Sequence, residues 1–220
     1  MQLFNPKVTT MTLAAPEPAI STQPDASLIG TLRVHGVRHL AVAEPAAPYN
    51  AITSTDLVAH LAGHPDPRLR EALIPLFLRQ PELADQTPGL VDRLPPLAAN
   101  VLRHFYTAAV YLQRLWLSTL RIYLGGFPLL PDYFGRAHYG LPGPDDRFGE
   151  AGLRGLARLY TDKTGLDWLS VYESTMNLFL QQLNLEQILP DYEFYQPTAD
   201  PEMFRRKFAL LKDKLGAAGV

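Results

Sequence analysis

"LAANVLRHFYTAAVYLQRLWLSTLRIYL", residues 97–124, is the stretch that decides the fold of this 220-residue chain. Its apolar side chains recur at spacings of three and four, which is the period of one buried face of a helix. The positions are Val101, Phe105, Ala108, Leu112, Leu115, Trp116 and Leu120. We therefore predict one long core helix over residues 97–124, ended by the glycines at 125–126.

Charged side chains interrupt the same stretch at Arg103, Arg114 and Arg121. Each would be costly in a lipid bilayer, so the pattern predicts a core helix and no membrane span. Residues 1–20 are apolar but broken by threonines and prolines, which does not fit the apolar core of a signal peptide. We therefore expect a cytoplasmic protein.

The net charge and the composition of the chain restrict the classes of function that it can have. The formal net charge is −2, so the basic excess of most nucleic-acid binders is missing. The chain has no cysteine, which excludes disulfides, thiolate zinc sites and a cysteine nucleophile. No glycine-rich phosphate loop and no Gly-x-Ser-x-Gly motif occurs, so we expect no cofactor.

Outside the long helix, the sequence predicts a mainly α-helical fold, either bundle-like or irregular. Residues 1–25 are rich in proline and predict a flexible N-terminal arm, followed by a single domain over 26–220. One short β-strand is predicted at 37–43, where the side chains of "VRHLAVA" alternate as in a half-buried strand. Further helices are predicted near 149–164, at 167–188 and after Pro201. Capping residues mark helix starts at Thr53, Asp66 and Asp167.

Residues 60–84 contain "HPDPRLREAL", an aspartate-proline start followed by arginines and an apolar face. This stretch resembles one HEAT-type helical repeat, without a second copy at a regular period. The resemblance implies that Asp66 and Arg70 order the turn and that the helix pair offers a packing surface. Pro75 should kink its helix or shift the helix start.

Residues 28–42, within "LIGTLRVHGVRHLAV", resemble the opening of small bacterial nucleotidyltransferases and their degenerate relatives. That family continues with a Gly-Ser turn and paired metal-binding aspartates, whereas this chain continues "AEPAAPYNAITSTD". The adjacent pair Asp145 and Asp146 lies far downstream. The resemblance therefore implies no catalytic motif here.

Two histidine pairs, His35 with His39 and His60 with His64, have the spacing that places two imidazoles on one helix face. Gly36 interrupts the first pair, Gly63 interrupts the second, and no cysteine is available. We therefore predict no metal site and expect the histidines to lie at helix C-termini, where their charge favours the dipole.

Residues 125–149 form a segment rich in glycine, proline and aromatic residues, which we call the aromatic loop. Aromatic and arginine side chains bury area at low entropic cost and donate hydrogen bonds. We predict partner-binding residues in this loop, with internal packing over the long helix as the alternative. The predicted residues are Tyr133, Phe134, Arg136, Arg147 and Phe148.

No convergent catalytic set is visible, so we expect a non-catalytic protein-binding subunit and not an enzyme. The kind of system that fits is a bacterial two-component pair, with an antitoxin-like or effector-partner role. One alternative is a metal- or nucleotide-dependent enzyme with an unrecognised site. The other is a nucleic-acid-binding regulator that uses the basic amphipathic segment 201–215.

Overall fold

The computed structural model describes residues 25–40 and 52–188, and the regular elements in these ranges are helices. The mainly α-helical class predicted from the sequence is confirmed. The α-helices are α1 (Asp25–Val34), α2 (Ser54–Gly63), α3 (Pro67–Glu71), α4 (Leu73–Arg79), α5 (Thr87–Val91), α6 (Pro96–Leu115), α7 (Leu117–Leu124), α8 (Gly135–Tyr139), α9 (Glu150–Thr164) and α10 (Trp168–Ile188). Two 3₁₀ helices cover Pro81–Gln86 and Asp146–Gly149.

The helices begin at the predicted capping residues. The backbone N–H of Asp56 donates to Thr53 Oγ1 at 3.1 Å, and that of Arg68 donates to Asp66 Oδ1 at 2.9 Å. Asp167 accepts from the N–H of Ser170 at 3.4 Å. Each bond satisfies a donor that the first turn of a helix leaves without a partner.

The region that resembles a HEAT repeat is divided at Ala72 into α3 and α4. Pro75 lies in the first turn of α4, where its missing N–H removes no helical hydrogen bond. The predicted shift of the helix start is therefore confirmed. The side chain that pairs with Asp66 is Arg68, at 2.9 Å, and not Arg70. Arg70 Nε is buried without a hydrogen-bond partner among residues 25–40 and 52–188.

The prediction of one uninterrupted helix over 97–124 is wrong at one residue. Trp116, with φ −105° and ψ 17°, separates α6 from α7. The helical hydrogen bonds continue on both sides of the break. The Trp116 N–H donates to the Leu112 carbonyl at 2.9 Å, and the Trp116 carbonyl accepts from the Leu120 N–H at 2.8 Å. Beyond the break, Leu120 of α7 is fully buried.

The core surrounds α6, which packs against α2, α4 and α9. Two rings at its centre are fully buried, those of Phe77 and Tyr106, and they meet edge to face with centroids 5.0 Å apart. The buried apolar side chains of the described ranges form one contiguous cluster. The long amphipathic stretch therefore organises the core, although Leu115, one of the positions predicted on its buried face, is exposed.

The strand predicted at 37–43 is not seen. Residues 37–40 are irregular, and 41–43 lie outside the described residues. The backbone N–H groups of Arg38 and His39 donate to the side-chain oxygen of Gln182 in α10, at 2.8 and 3.1 Å. A side-chain amide therefore takes the place of a neighbouring strand, because the described part of the fold offers no strand edge to pair with.

The predictions for 149–164 and 167–188 agree with α9 and α10 to within a residue. Gly165 ends α9 in the left-handed conformation, with φ 74°. Residues 1–24 of the predicted arm and the basic segment 201–215 lie outside the described residues, whereas Asp25 begins α1. Among the described helices, none combines the length and the apolarity that crossing a membrane requires.

Candidate functional site

The aromatic loop is fixed to α6 by two buried tyrosines. The Tyr106 hydroxyl donates to the Pro131 carbonyl at 2.8 Å, and the Tyr111 hydroxyl donates to the Pro142 carbonyl at 2.8 Å. Burial is the main cause that raises the pKa of each hydroxyl, so both stay neutral donors. The loop therefore follows the helix on a defined path.

Two polar residues of α6 hold the first part of the loop. Gln113 is fully buried, donates to the Pro128 carbonyl at 3.2 Å and accepts from the Leu130 N–H at 2.7 Å. Arg114 donates to the Leu130 carbonyl at 3.2 Å and pairs with Asp145 at 3.2 Å. In the sequence, Arg114 and Gln113 appear only as polar interruptions of an apolar stretch, which does not indicate these contacts with the loop.

Two of the predicted partner-binding residues pack internally. Tyr133 stacks on Tyr106 with centroids 5.8 Å apart, and Phe134, which is 9% exposed, meets the same ring edge to face at 5.7 Å. Both rings therefore contribute to internal packing and support the path of the loop. Phe134 is buried, whereas Tyr133 is half-buried and keeps part of its surface exposed.

The other three predicted residues are exposed. The Arg136 guanidinium lies over Gly143, whose N–H donates to Asp146 at 2.9 Å. Arg147 and Phe148 follow directly, and Phe148 is 78% exposed. The structure therefore brings Arg136 to the segment that carries Arg147 and Phe148.

Arg147 and Phe148 are both in the left-handed conformation, with φ 49° and 56°. We call these two residues the Arg147–Phe148 turn. Each such residue costs about 1–2 kcal/mol relative to a right-handed one. Gly149 follows with φ 88°, and a Cβ there would lie 2.5 Å from the Tyr111 carbonyl oxygen, so only glycine fits. The turn is thus strained and is held by the residues on either side.

Asp145 and Asp146 have structural partners, namely Arg114 and the Gly143 N–H. The histidines of the two pairs also have separate partners. His35 donates to Gln80 at 2.8 Å, and His60 donates to the Asp56 carbonyl at 2.7 Å. Among residues 25–40 and 52–188, no three histidine or carboxylate side chains come together as metal ligands.

We predict that the protein binds no transition metal stoichiometrically, because His60 and His64 lie on opposite sides of a helix end. Elemental analysis of untagged protein after dialysis tests this prediction. Stoichiometric zinc that is lost in a variant with both histidines replaced by alanine would contradict it.

A buried polar group that sequence reasoning missed is His104 in α6. Its Nε2 is hydrogen-bonded to the Tyr172 hydroxyl, and its ring stacks on Tyr160 with centroids 3.4 Å apart. Burial, with the charges of Lys163 and Arg70, lowers the pKa of His104 to about 3. The imidazole is therefore neutral at physiological pH. It can hold the Tyr172 hydroxyl in place but has little access to solvent.

Two of the grooves on the described surface are large enough to consider as binding sites. The larger, of about 500 Å³, lies between α4, α7 and α10 and contains the ion pair of Arg79 with Glu186 at 2.8 Å. The smaller, of about 270 Å³, lies beside Trp116 between α6, α9 and α10. Neither groove contains a predicted partner-binding residue.

Compared with protein-family models, curated proteins and solved structures, the chain gave no match.

Proposed function

We propose that this chain is a non-catalytic protein-binding subunit and that the Arg147–Phe148 turn is the centre of its interface. The observation that carries the proposal is the exposure of Phe148 on a strained turn that the rest of the loop holds in place. The proposal is compatible with a two-component pair of the antitoxin-like or effector-partner kind.

The strain of the turn supports this function. Two consecutive left-handed residues cost free energy, and an exposed phenyl ring recovers none of it in the isolated protein. A partner that buries the phenyl ring would supply favourable free energy that offsets the strain of the turn. The residues that flank the turn contact α6, since Asp145 pairs with Arg114 and Gly149 lies against the Tyr111 carbonyl. These contacts restrict the turn, which lowers the entropy lost on association.

The surroundings of Phe148 suggest the chemistry of the partner surface. Arg147 precedes the ring, and Arg136 lies over the nearby Gly143. A complementary surface would have an apolar pocket for the ring and carboxylates at its rim. Aromatic and arginine side chains of this kind contribute most of the free energy in many interfaces.

We predict that Phe148→Ala weakens association with the partner by about 30-fold or more, since an anchor side chain contributes about 2 kcal/mol. The melting temperature should change little, because the ring makes few contacts in the free protein. The partner is recovered by pull-down from the native host, identified, and titrated with each purified variant by calorimetry.

Leu97→Ala is the matched control, because Leu97 is also 78% exposed but lies at the start of α6. It should leave the affinity unchanged, whereas Arg147→Ala should weaken it. A partner that binds the Phe148 and Arg147 variants as tightly as the wild type, or the absence of any stable partner, would overturn the proposal.

A further inference from the structure

Three basic side chains from separate helices lie near a hydrogen-bonded tyrosine pair: two contact its rings, and the third acts on both hydroxyls through its charge. They are Arg103 of α6, His138 of α8 and Lys163 of α9. The hydroxyls of Tyr139 and Tyr160 are 3.0 Å apart. Lys163 Nζ lies 5.2 Å from the centre of the Tyr160 ring, and the His138 ring meets the Tyr139 ring edge-on at 4.7 Å. We call these five residues the basic cluster.

The positive charges of the basic cluster act on one another without a compensating carboxylate. Burial, followed by the charges of Arg103 and Lys163, lowers the pKa of His138. The charge of Arg103 also favours the ionised forms of Tyr139 and Tyr160, against the larger effect of burial. No carboxylate in the described part of the chain forms an ion pair with any of the three basic residues.

The cluster also has hydrogen-bond donors that are not used. In the Tyr139–Tyr160 pair one hydroxyl hydrogen bridges the two oxygens, and the second has no acceptor among the described residues. The Arg103 guanidinium donates only to Asn100, at 3.0 Å, within the same ranges. Arg103 and both tyrosines are half-buried, whereas His138 and Lys163 are exposed, so the donors lie at an accessible edge.

We propose that the basic cluster binds a phosphate-type oxyanion carried by a small molecule. The anion would supply the missing negative charge and accept hydrogen bonds from Arg103 and the free tyrosine hydroxyl. Charge-assisted bonds of this type are the strong ones, and the guanidinium fork matches the oxygen spacing of phosphate. Lys163 and His138 would add charge from the open side. This site is independent of the protein-binding function proposed above.

Calorimetric titration of the full chain with inorganic phosphate, at fixed ionic strength, tests the site. We expect saturable binding of phosphate by the wild type. Its affinity should fall about tenfold or more in Lys163→Gln and in Arg103→Gln, while both variants keep the wild-type circular dichroism spectrum. The control is Arg154→Gln, an exposed residue of the same helix α9 that pairs with Glu150 at 2.9 Å. It should bind phosphate like the wild type.

A second experiment measures the affinity for sulfate as a function of pH. Sulfate stays a dianion throughout the pH range used. A bound anion favours protonated His138 and raises its pKa, so the affinity should increase as pH falls from about 8 to about 5.5. A rise of about one pKa unit gives up to tenfold tighter binding. The charges that face His138 are those of Arg103 and Lys163, which do not titrate in this range. His138→Gln should remove the pH dependence.

Adenosine 5′-monophosphate, titrated beside phosphate, identifies the source of the anion. Equal affinities assign the contact to the phosphate group alone, and tighter nucleotide binding assigns it to a phosphate ester. Absence of saturable phosphate binding, or equal binding by wild type, Lys163→Gln and Arg154→Gln, would overturn the proposal.

Discussion

Replacing Tyr106 with alanine is expected to lower the free energy of unfolding by about 4–6 kcal/mol, measured by urea denaturation. The ring is fully buried, and truncating a buried aromatic side chain costs about 3–5 kcal/mol. The variant also leaves the Pro131 carbonyl without its donor, which adds about 1 kcal/mol. Tyr106 contributes both to the core around α6 and, together with Tyr111 and Gln113, to the path of the aromatic loop.

Tyr106→Phe separates the two contributions, because it keeps the ring contacts with Phe77 and Phe134 and removes only the hydroxyl. It should cost about 1–2 kcal/mol. An alanine variant that unfolds within about 1 kcal/mol of the wild type would show that Tyr106 is not the centre of the core.

Gly152→Ala is expected to destabilise the protein by about 3 kcal/mol, although alanine is normally the better helix former. A Cβ at position 152 in α9 would overlap the Cε1 and Cζ atoms of the fully buried Tyr111 ring. The ring cannot move without losing its hydrogen bond to the Pro142 carbonyl. Denaturant unfolding measures the effect, together with the circular dichroism of the variant.

Gly89→Ala is the control for this prediction. Gly89 lies in α5, and a Cβ there would meet no atom within 4 Å. The substitution should therefore stabilise the protein by up to about 1 kcal/mol through helix propensity. If both glycine variants were stabilised alike, the close packing of α9 on Tyr111 would be disproved.

Local signals predicted much of the fold. Thr53, Asp66 and Asp167 cap helices because a short polar side chain satisfies the nearest backbone donors, and that effect depends only on neighbouring residues. The break at Trp116 could not be predicted in the same way. One non-helical residue leaves the apolar period nearly unchanged, so the break depends on contacts that α7 makes elsewhere in the fold.

The candidate site was less predictable. The aromatic composition indicated an ordered loop, but it could not distinguish Tyr133 and Phe134, which pack inward, from Phe148, which is exposed. Gln113 hydrogen-bonds to a backbone carbonyl and a backbone N–H of the loop, and every residue type except proline offers both groups. The contact between Gln113 and the loop therefore cannot be predicted from a sequence pattern. The basic cluster was missed because its members come from three helices that meet only in the folded chain.

The hydrogen bonds of Gln182 have a consequence for synthesis on the ribosome. Gln182 donates to the Gly36 carbonyl at 2.7 Å and accepts from the backbone of Arg38 and His39, so residues 36–39 depend on an amide 146 positions beyond Gly36. At roughly 5–20 residues per second, translation needs about 7–30 s to reach it. During that interval the Gly36 carbonyl and the N–H groups of Arg38 and His39 lack the side chain that pairs with them in the folded protein. The segment that follows α1 therefore gains its final hydrogen bonds only after α10 has been made, whereas α1 itself can already pack on the earlier helix α2.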